Sequence, residues 1–164
     1  MPDETSITSV ENEVTIGCFE VGGSLIAIDV ASVREVIRWQ PVTPLPRSPA
    51  LIDGVVDLRG VLVPVVDLGR MLNERKVEPS IGTRIVVTET DGLVVGWMVD
   101  SAVEVLQISA DSMEAPPPLA THAGYEAARA VVRRPDSEPI VVLSLEHLIE
   151  SVYRSVQTTH EGAA

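Results

Sequence analysis

The stretch from Gly54 to Leu68, GVVDLRGVLVPVVDL, constrains the fold of this chain more than any other segment. Its two valine-rich runs flank a charged turn, Asp57-Leu58-Arg59-Gly60, and glycine adopts positive φ there without steric cost. β-Branched residues pack well on pleated surfaces, so the runs are predicted to be two paired, largely buried strands. The turn would then hold Arg59 at the protein surface on a rigid base.

The valine content extends this prediction to the rest of the chain. Valine supplies 27 of the 164 residues and aromatic residues only 3%, which predicts an aliphatic core and mostly β structure. That length suffices for one domain or for two small subdomains. The sequence has no strand and helix alternation and no GxGxxG or GxxxxGK[ST] motif, so a nucleotide-binding fold is not expected.

Turn residues divide the valine-rich chain into short strands. Gly22-Gly23 and Asp91-Gly92 each separate two apolar runs and predict hairpins. Asp29 is suited to cap a short helical turn. The segment VREVIRW is expected to be a strand with Val33, Glu35, Ile37 and Trp39 on one face.

The segments between strands complete the predicted organisation. The segment QPVTPLPRSPA, residues 40–50, carries four prolines and is expected to be an edge strand or a crossing loop. Two consecutive groups of strands, with a junction near residues 73–82, suggest two small barrels packed side by side. The last element is predicted to be a helix that docks one apolar stripe, formed by Leu145, Leu148, Ile149, Val152 and Val156. Residues 1–13 are expected to be a disordered arm and residues 154–164 a flexible tail.

Charge and targeting signals limit the partners of the protein. A net charge of −12 and a pI near 4.5 disfavour nucleic acid and anionic lipid as partners. Eleven of the 12 basic residues are arginine, which suits directed contacts with carboxylates. The N-terminus lacks a secretory signal, and no apolar segment approaches the ~20 residues that span a bilayer. A cytoplasmic protein without membrane insertion is expected, with its single cysteine, Cys18, packed in the core.

Residues with catalytic or metal-binding chemistry are scattered. His122, His147 and His160 fall in a loop, a helix and the tail, and neither HExxH nor GxSxG occurs. Asp57 and Asp67 could be read as an acid and base pair, but acidic residues beside turns more often cap them. The sequence therefore predicts a protein without enzymatic activity, metal or cofactor.

A family resemblance rests on the runs LIAIDVASVREVI, PVTPLP, PALIDGVVDLRGVLVPVVDL, TRIVV, LVVGWMVDSAVEVL and IVVLSLEHLI. Over residues 14–153 the chain resembles the CheW domain, the coupling protein of bacterial chemosensory arrays. The resemblance implies an all-β fold of two five-stranded SH3-like barrels with a C-terminal helix. It also implies an adaptor that links the cytoplasmic tips of chemoreceptors to the regulatory domain of the histidine kinase CheA. Recruitment to membrane-associated arrays and self-association within array rings are compatible with it.

The resemblance also implies where receptors bind. The receptor-binding surface of the family would correspond to Val33, Glu35, Gly54 and Arg59, with an exposed part of Leu58 adding apolar area. The residues of the kinase interface are not assigned. Arg59 has two interpretations, a receptor contact or an intramolecular ion pair with Glu35 or Asp57, and both can hold together.

Two functional alternatives stay open. One is a diverged CheW-like regulator of a non-flagellar pathway that controls pili or development. The other is a small β-barrel ligand-binding protein, which would need an apolar pocket with converging polar groups. The chain also departs from the family pattern, with Val36-Ile37-Arg38-Trp39 after Glu35 and Ser144 before the final helix.

Overall fold

A computed structural model describes residues 12–48, 51–117 and 127–162, with side chains described as far as residue 155. Its strands are β1 (Glu13–Val21), β2 (Ser24–Asp29), β3 (Val33–Arg38), β4 (Ile52–Leu58), β5 (Val61–Asp67), β6 (Arg84–Thr90), β7 (Leu93–Val99), β8 (Ser101–Ser109), β9 (Met113–Glu114), β10 (Ala128–Arg134) and β11 (Ser137–Leu143). Its helices are α1 (Leu68–Asn73) and α2 (Leu145–Gly162), and short 3-10 turns cover Val30–Ser32 and Ala110–Ser112.

The strands form two sheets. The six-stranded sheet has the order β8-β1-β2-β11-β10-β9, and the five-stranded sheet has the order β3-β6-β7-β5-β4. The predicted all-β fold with a C-terminal helix is confirmed. The sixth strand of the larger sheet, β9, is a two-residue addition.

The expected division into two consecutive groups of strands is wrong. The N-terminal hairpin belongs with the C-terminal strands, since β1 pairs with β8 and β2 runs parallel to β11 through Ile26 and Val141. Residues 73–82 run from the last residue of α1 towards β6, inside the part of the chain that builds the five-stranded sheet, so they are not a junction between barrels. Local patterns predict that a segment is a strand, but the partner of a strand depends on long-range packing.

Three aliphatic clusters match this arrangement. One cluster, around Ile16 and Ile140, is formed by buried side chains of the six-stranded sheet. A second cluster, around Val63 and Ile85, is formed mainly by buried side chains of the five-stranded sheet. The third lies between the sheets and contains Trp97, which is fully buried and donates a 2.8 Å hydrogen bond from Nε1 to Thr88 Oγ1. A buried indole N–H needs such an acceptor, and the pairing fixes the ring in the core.

The predicted turns form as expected. Gly22 and Gly23 have φ of 59° and 83°, and Asp91 and Gly92 have φ of 52° and 80°, values that match the right-handed twist of hairpins. The carboxylate of Asp29 accepts the Ala31 N–H at 2.9 Å and caps the 3-10 turn. Cys18 is buried, and burial raises the pKa of its thiol, as expected of a core residue.

The two chain ends differ from expectation. Strand β1 begins at Glu13, inside the predicted arm, and residues 1–11 lie outside the described part of the chain. Helix α2 continues to Gly162, so most of the segment predicted as a flexible tail is helical. Leu145 and Leu148 are buried and Ile149 and Val152 pack against the same cluster, as the apolar stripe predicted, whereas the Val156 side chain lies outside the described residues.

Candidate functional site

The edge strands of the five-stranded sheet, β3 and β4, run in opposite directions and are joined by residues 39–51. This connection returns along β4, where Thr43 and Val55 exchange two backbone hydrogen bonds of 2.9 Å each. We call the free edge of β4, which faces this connection at Thr43 and β3 at Glu35, the seam. Residues 40–50 were expected to be an edge strand or a crossing loop, and the bridge at Thr43 is consistent with that expectation.

Gly54 permits this closure. It has a φ of 150°, and a Cβ built on it would collide with the carbonyl oxygen of Thr43, so only glycine fits. Gly54 is buried beneath the crossing chain. Its burial argues against direct contact with a partner, and the assignment of Gly54 to the binding surface stays a prediction.

The other end of the seam lies at the turn between β4 and β5. Arg59 and Gly60 have φ of 52° and 86°, and positive φ at two successive residues defines a tight hairpin turn. The Asp57 carboxylate accepts the Gly60 N–H at 2.8 Å. This bond stabilises a backbone conformation that is uncommon for a residue with a side chain such as Arg59.

Arg59 and Glu35 join the two edges of the sheet. The Arg59 Nη2 and Glu35 Oε1 atoms are 2.7 Å apart, and the two side chains are 78% and 28% exposed. The hydrogen bond to Glu35 raises the pKa of Arg59 above its ordinary value. Of the two intramolecular partners that the sequence allowed, Glu35 pairs with Arg59 and Asp57 holds the turn.

A cleft of about 390 Å³ lies beside this ion pair. Its aliphatic floor includes Val63 and Val87, which are 1% and 2% exposed. The lining residues are Arg34, Glu35, Leu58, Arg59, Val61, Val63, Val87 and Val94. The site thus combines an exposed guanidinium with an apolar depression, which suits a partner side chain of mixed character.

Val33 does not join this cleft. A β-bulge between Val33 and Glu35 shifts the register of β3 against β6. Val33 packs against the cluster between the sheets, whereas Ile37 and Trp39 pack against the cluster of the five-stranded sheet. Half-buried and exposed residues still alternate along β3, as predicted for Val33, Glu35, Ile37 and Trp39 on one face, so Val33 differs only in the cluster that it contacts.

Some residues of the site were not predicted. Arg34 lines the cleft and forms a 3.3 Å ion pair with Glu89 of the neighbouring strand β6. Val61 and Leu62 beside the turn are 55% and 66% exposed, which adds apolar surface near Arg59. Consecutive exposed apolar residues at a hairpin end are a sequence signal that could have identified this surface.

The two carboxylates considered as an acid and base pair do not meet. Asp57 precedes β5, whereas Asp67 ends it. Asp67 is fully buried, and its side chain accepts backbone N–H groups of Arg70 at 3.0 Å and Val77 at 3.0 Å. Burial raises the pKa of Asp67, although these hydrogen bonds oppose the shift. Its position indicates a structural cap of α1.

Neither a metal site nor a membrane span is found within the described ranges. No cluster of three or more potential metal ligands occurs among the residues that the structure describes. His147 lies at the start of α2, where its Nδ1 is 2.9 Å from Ser144 Oγ, while His122 and the side chain of His160 lie outside the description. None of the described helices is long and apolar enough to cross a bilayer.

The molecule consists of two small barrels, and one of them presents Arg59, paired with Glu35, beside an aliphatic cleft. These features define an interaction domain of the adaptor class. The CheW-like domain model matches residues 15–153, which is most of the chain, and the chain belongs to the CheW family. This is a family of scaffold and adaptor proteins, and the chain is a chemotaxis adaptor of that type.

Individual relatives agree with this assignment. The chain is 33% identical to the chemotaxis protein CheW of Rhizobium meliloti, over 70% of this chain and 74% of that protein. It is also 33% identical to protein FrzA of Myxococcus xanthus, over 92% and 94% of the two chains. The crystal structure of the scaffolding protein TtCheW from Thermoanaerobacter tengcongensis matches with a TM-score of 0.73 at 30% identity, over 80% and 84% of the chains. That match supports the SH3-like character of the two barrels.

Proposed function

We propose that this adaptor couples the cytoplasmic tips of chemoreceptors to the regulatory domain of the histidine kinase CheA. The observation that carries the proposal is the geometry of Arg59, whose backbone is fixed through Asp57 and whose guanidinium is fixed by Glu35 beside an aliphatic cleft. A rigid, exposed arginine loses little conformational freedom when it binds a carboxylate or carbonyl group.

The receptor surface consists of Arg59, Glu35 and the exposed parts of Leu58, with Gly54 acting indirectly through closure of the seam. A receptor tip is helical in this proposal, and a helix docks by placing apolar side chains in a groove. The cleft beside Arg59 supplies that groove, and the guanidinium gives the contact its orientation. Val33 packs against the cluster between the sheets and supports the start of β3 without lining the cleft.

The protein acts in the cytoplasm and reaches the membrane through its receptors. Kinase binding uses other surfaces of the two barrels and leaves the Arg59 end of the seam to the receptor. Such a two-sided arrangement allows rings in which copies of the adaptor and the kinase domain alternate.

Co-sedimentation tests the proposed function. Purified protein mixed with membranes that carry its cognate receptors, with and without the cognate kinase, is expected to pellet with the membranes. It is also expected to increase the amount of kinase in the pellet. Protein that stays in the supernatant with both partners present would contradict the proposal.

A further inference from the structure

We propose that a cavity between α2 and the five-stranded sheet is a binding site for a small, uncharged aromatic molecule. The cavity has a volume of about 170 Å³, and its wall on α2 is formed by Ile149, Val152 and Tyr153. The opposite wall belongs to β4, β5 and β7 and includes Val66, Val95 and Trp97. Among the described residues, none lines both this cavity and the cleft beside Arg59, so the two sites are separate.

The walls of the cavity are almost entirely apolar. The one buried N–H group of a lining side chain, Trp97 Nε1, already donates a hydrogen bond to Thr88 Oγ1 at 2.8 Å. Tyr153 is 55% exposed, so its side chain lies where the cavity opens to solvent. A buried water molecule needs roughly two to four polar partners, and a charged ligand would lose its hydration without replacement. The walls therefore select an uncharged, apolar occupant.

The volume sets the size of that occupant. An apolar cavity of about 150 Å³ in another protein stays free of water and binds benzene. Pockets for drug-sized ligands are larger, roughly 300–1,000 Å³. A cavity of about 170 Å³ therefore fits one aromatic ring with a small substituent, and toluene is a suitable probe.

The wall on the sheet is in place before any ligand arrives. Val66 and Trp97 are 1% and 0% exposed, and the hydrogen bond to Thr88 fixes the indole ring. Ile149 and Val152 hold α2 against the same cluster between the sheets. A preformed site loses little conformational freedom on binding, which favours affinity for a ligand of few atoms.

Charged side chains beside the opening favour a free molecule over the side chain of a docked protein. Glu150 lies three positions before Tyr153, so the two are neighbours on the surface of α2. Glu150 also pairs with Arg154 at 3.4 Å, and these two side chains are 58% and 63% exposed. The centres of protein interfaces are depleted of charged residues, whereas a small molecule enters without covering them.

The two tryptophans of the chain allow a direct test with toluene, since Trp97 lines the cavity and Trp39 packs against the cluster of the five-stranded sheet. In nuclear magnetic resonance spectra of the full chain, the indole N–H signal of Trp97 is expected to move saturably while that of Trp39 stays. Toluene at about ten times its Kd is expected to shift the unfolding equilibrium about elevenfold towards the folded state. Benzoate replaces the methyl group of toluene by a carboxylate and is expected to have neither effect.

Three results would overturn the proposal. They are a Trp97 signal that does not respond up to the solubility limit of toluene, an equal response to benzoate, and an equal movement of the Trp39 signal. Each of them would leave the receptor proposal untouched, because the test contains no receptor.

A variant that fills the cavity localises the site. Val152→Phe places a ring of the protein in the cavity and is expected to abolish the toluene response without lowering the melting temperature. Val36→Phe is the matched control, because Val36 is 42% exposed on β3 and does not line the cavity, and it is expected to bind toluene as the wild type does. Leu93→Phe fills the cavity from β7 and replaces Val152→Phe if that variant does not fold. A folded cavity-filling variant with wild-type affinity for toluene, or loss of binding in Val36→Phe, would contradict this location.

Discussion

Thr43 and Val55 are bonded to each other through both of their backbone N–H groups, each at 2.9 Å. This bridge closes one end of the seam, and the ion pair between Arg59 and Glu35 closes the other. Gly54, Glu35 and Arg59, which the sequence suggested as parts of one surface, are thus related by a single structural feature. The feature is the free edge of β4, which the connection after β3 closes at Thr43 and which the ion pair links to β3 at Glu35.

The close approach at Gly54 predicts a large loss of stability on substitution. Gly54→Ala is expected to lower the free energy of unfolding by at least about 2 kcal/mol more than Gly92→Ala, because strain and a collision combine. Gly92 has a φ of 80° with open space around it, so it isolates the conformational cost of about 1 kcal/mol. Urea denaturation measures the free energy of unfolding of both variants. Equal losses of stability would contradict the claim that the close approach of Thr43 requires glycine at position 54.

The hydrogen bond between Asp57 and the Gly60 N–H predicts a smaller effect at the turn. Asp57→Ala removes this acceptor and is expected to lower the free energy of unfolding by about 1 kcal/mol. Asp57→Asn retains an acceptor oxygen and serves as the control. An Asn variant as unstable as the Ala variant would show that the hydrogen bond is not what stabilises the turn.

Two threonines of β6, Thr88 and Thr90, allow a controlled comparison of a hydroxyl that accepts a buried hydrogen bond with one that has no described partner. Thr88→Val leaves the buried Trp97 N–H without its acceptor and is expected to cost about 1–3 kcal/mol in unfolding free energy. Thr90 has a buried hydroxyl oxygen for which the described residues supply no partner, so Thr90→Val is expected to be neutral or stabilising. Thermal and urea unfolding of the two variants check this contrast, which a reversed order would refute.

Asp67 predicts a pH dependence of stability. Burial raises its pKa in the folded protein above the ordinary value of 3.8, so the folded state binds more protons than the unfolded state between those two pKa values. The contribution of Asp67 to stability is therefore greatest at low pH and falls as pH rises through the raised pKa. The unfolding free energy of the wild type minus that of Asp67→Asn is expected to decrease from pH 3.5 to pH 7. An increase over this range would contradict the direction of the shift.

Local structure could be predicted because short patterns specify it. The pairs Gly22-Gly23 and Asp91-Gly92 need positive φ, and Asp29 supplies a cap, so these turns follow from the residues alone. The pairing of β2 with β11 could not be predicted in this way. Those strands are separated by more than half of the chain, and their contact depends on how the two sheets pack.

The candidate site could be predicted only in part, because some of its features follow from local patterns and others depend on long-range packing. The hairpin of residues 54–68 indicates an exposed Arg59, and Glu35 was one of two expected partners. The alternation along β3 was predicted correctly, but the contact of Val33 with the cluster between the sheets could not be inferred, because it depends on how the two sheets pack. The cleft combines residues from five strands of the sheet, and its existence depends on the order of those strands.

The account depends most on Arg59 as a receptor contact. The decisive measurement is co-sedimentation with receptor membranes of the wild type, Arg59→Glu and Arg133→Glu, together with the melting temperature of each. Arg133 is the matched control, because it is 80% exposed and forms a 2.8 Å ion pair with Glu114 on the six-stranded sheet. We expect Arg59→Glu to lose receptor binding with an almost unchanged melting temperature, since exposed ion pairs add little stability, and Arg133→Glu to bind as the wild type does. Normal binding by Arg59→Glu, or loss of binding only through a large fall in melting temperature, would contradict the account.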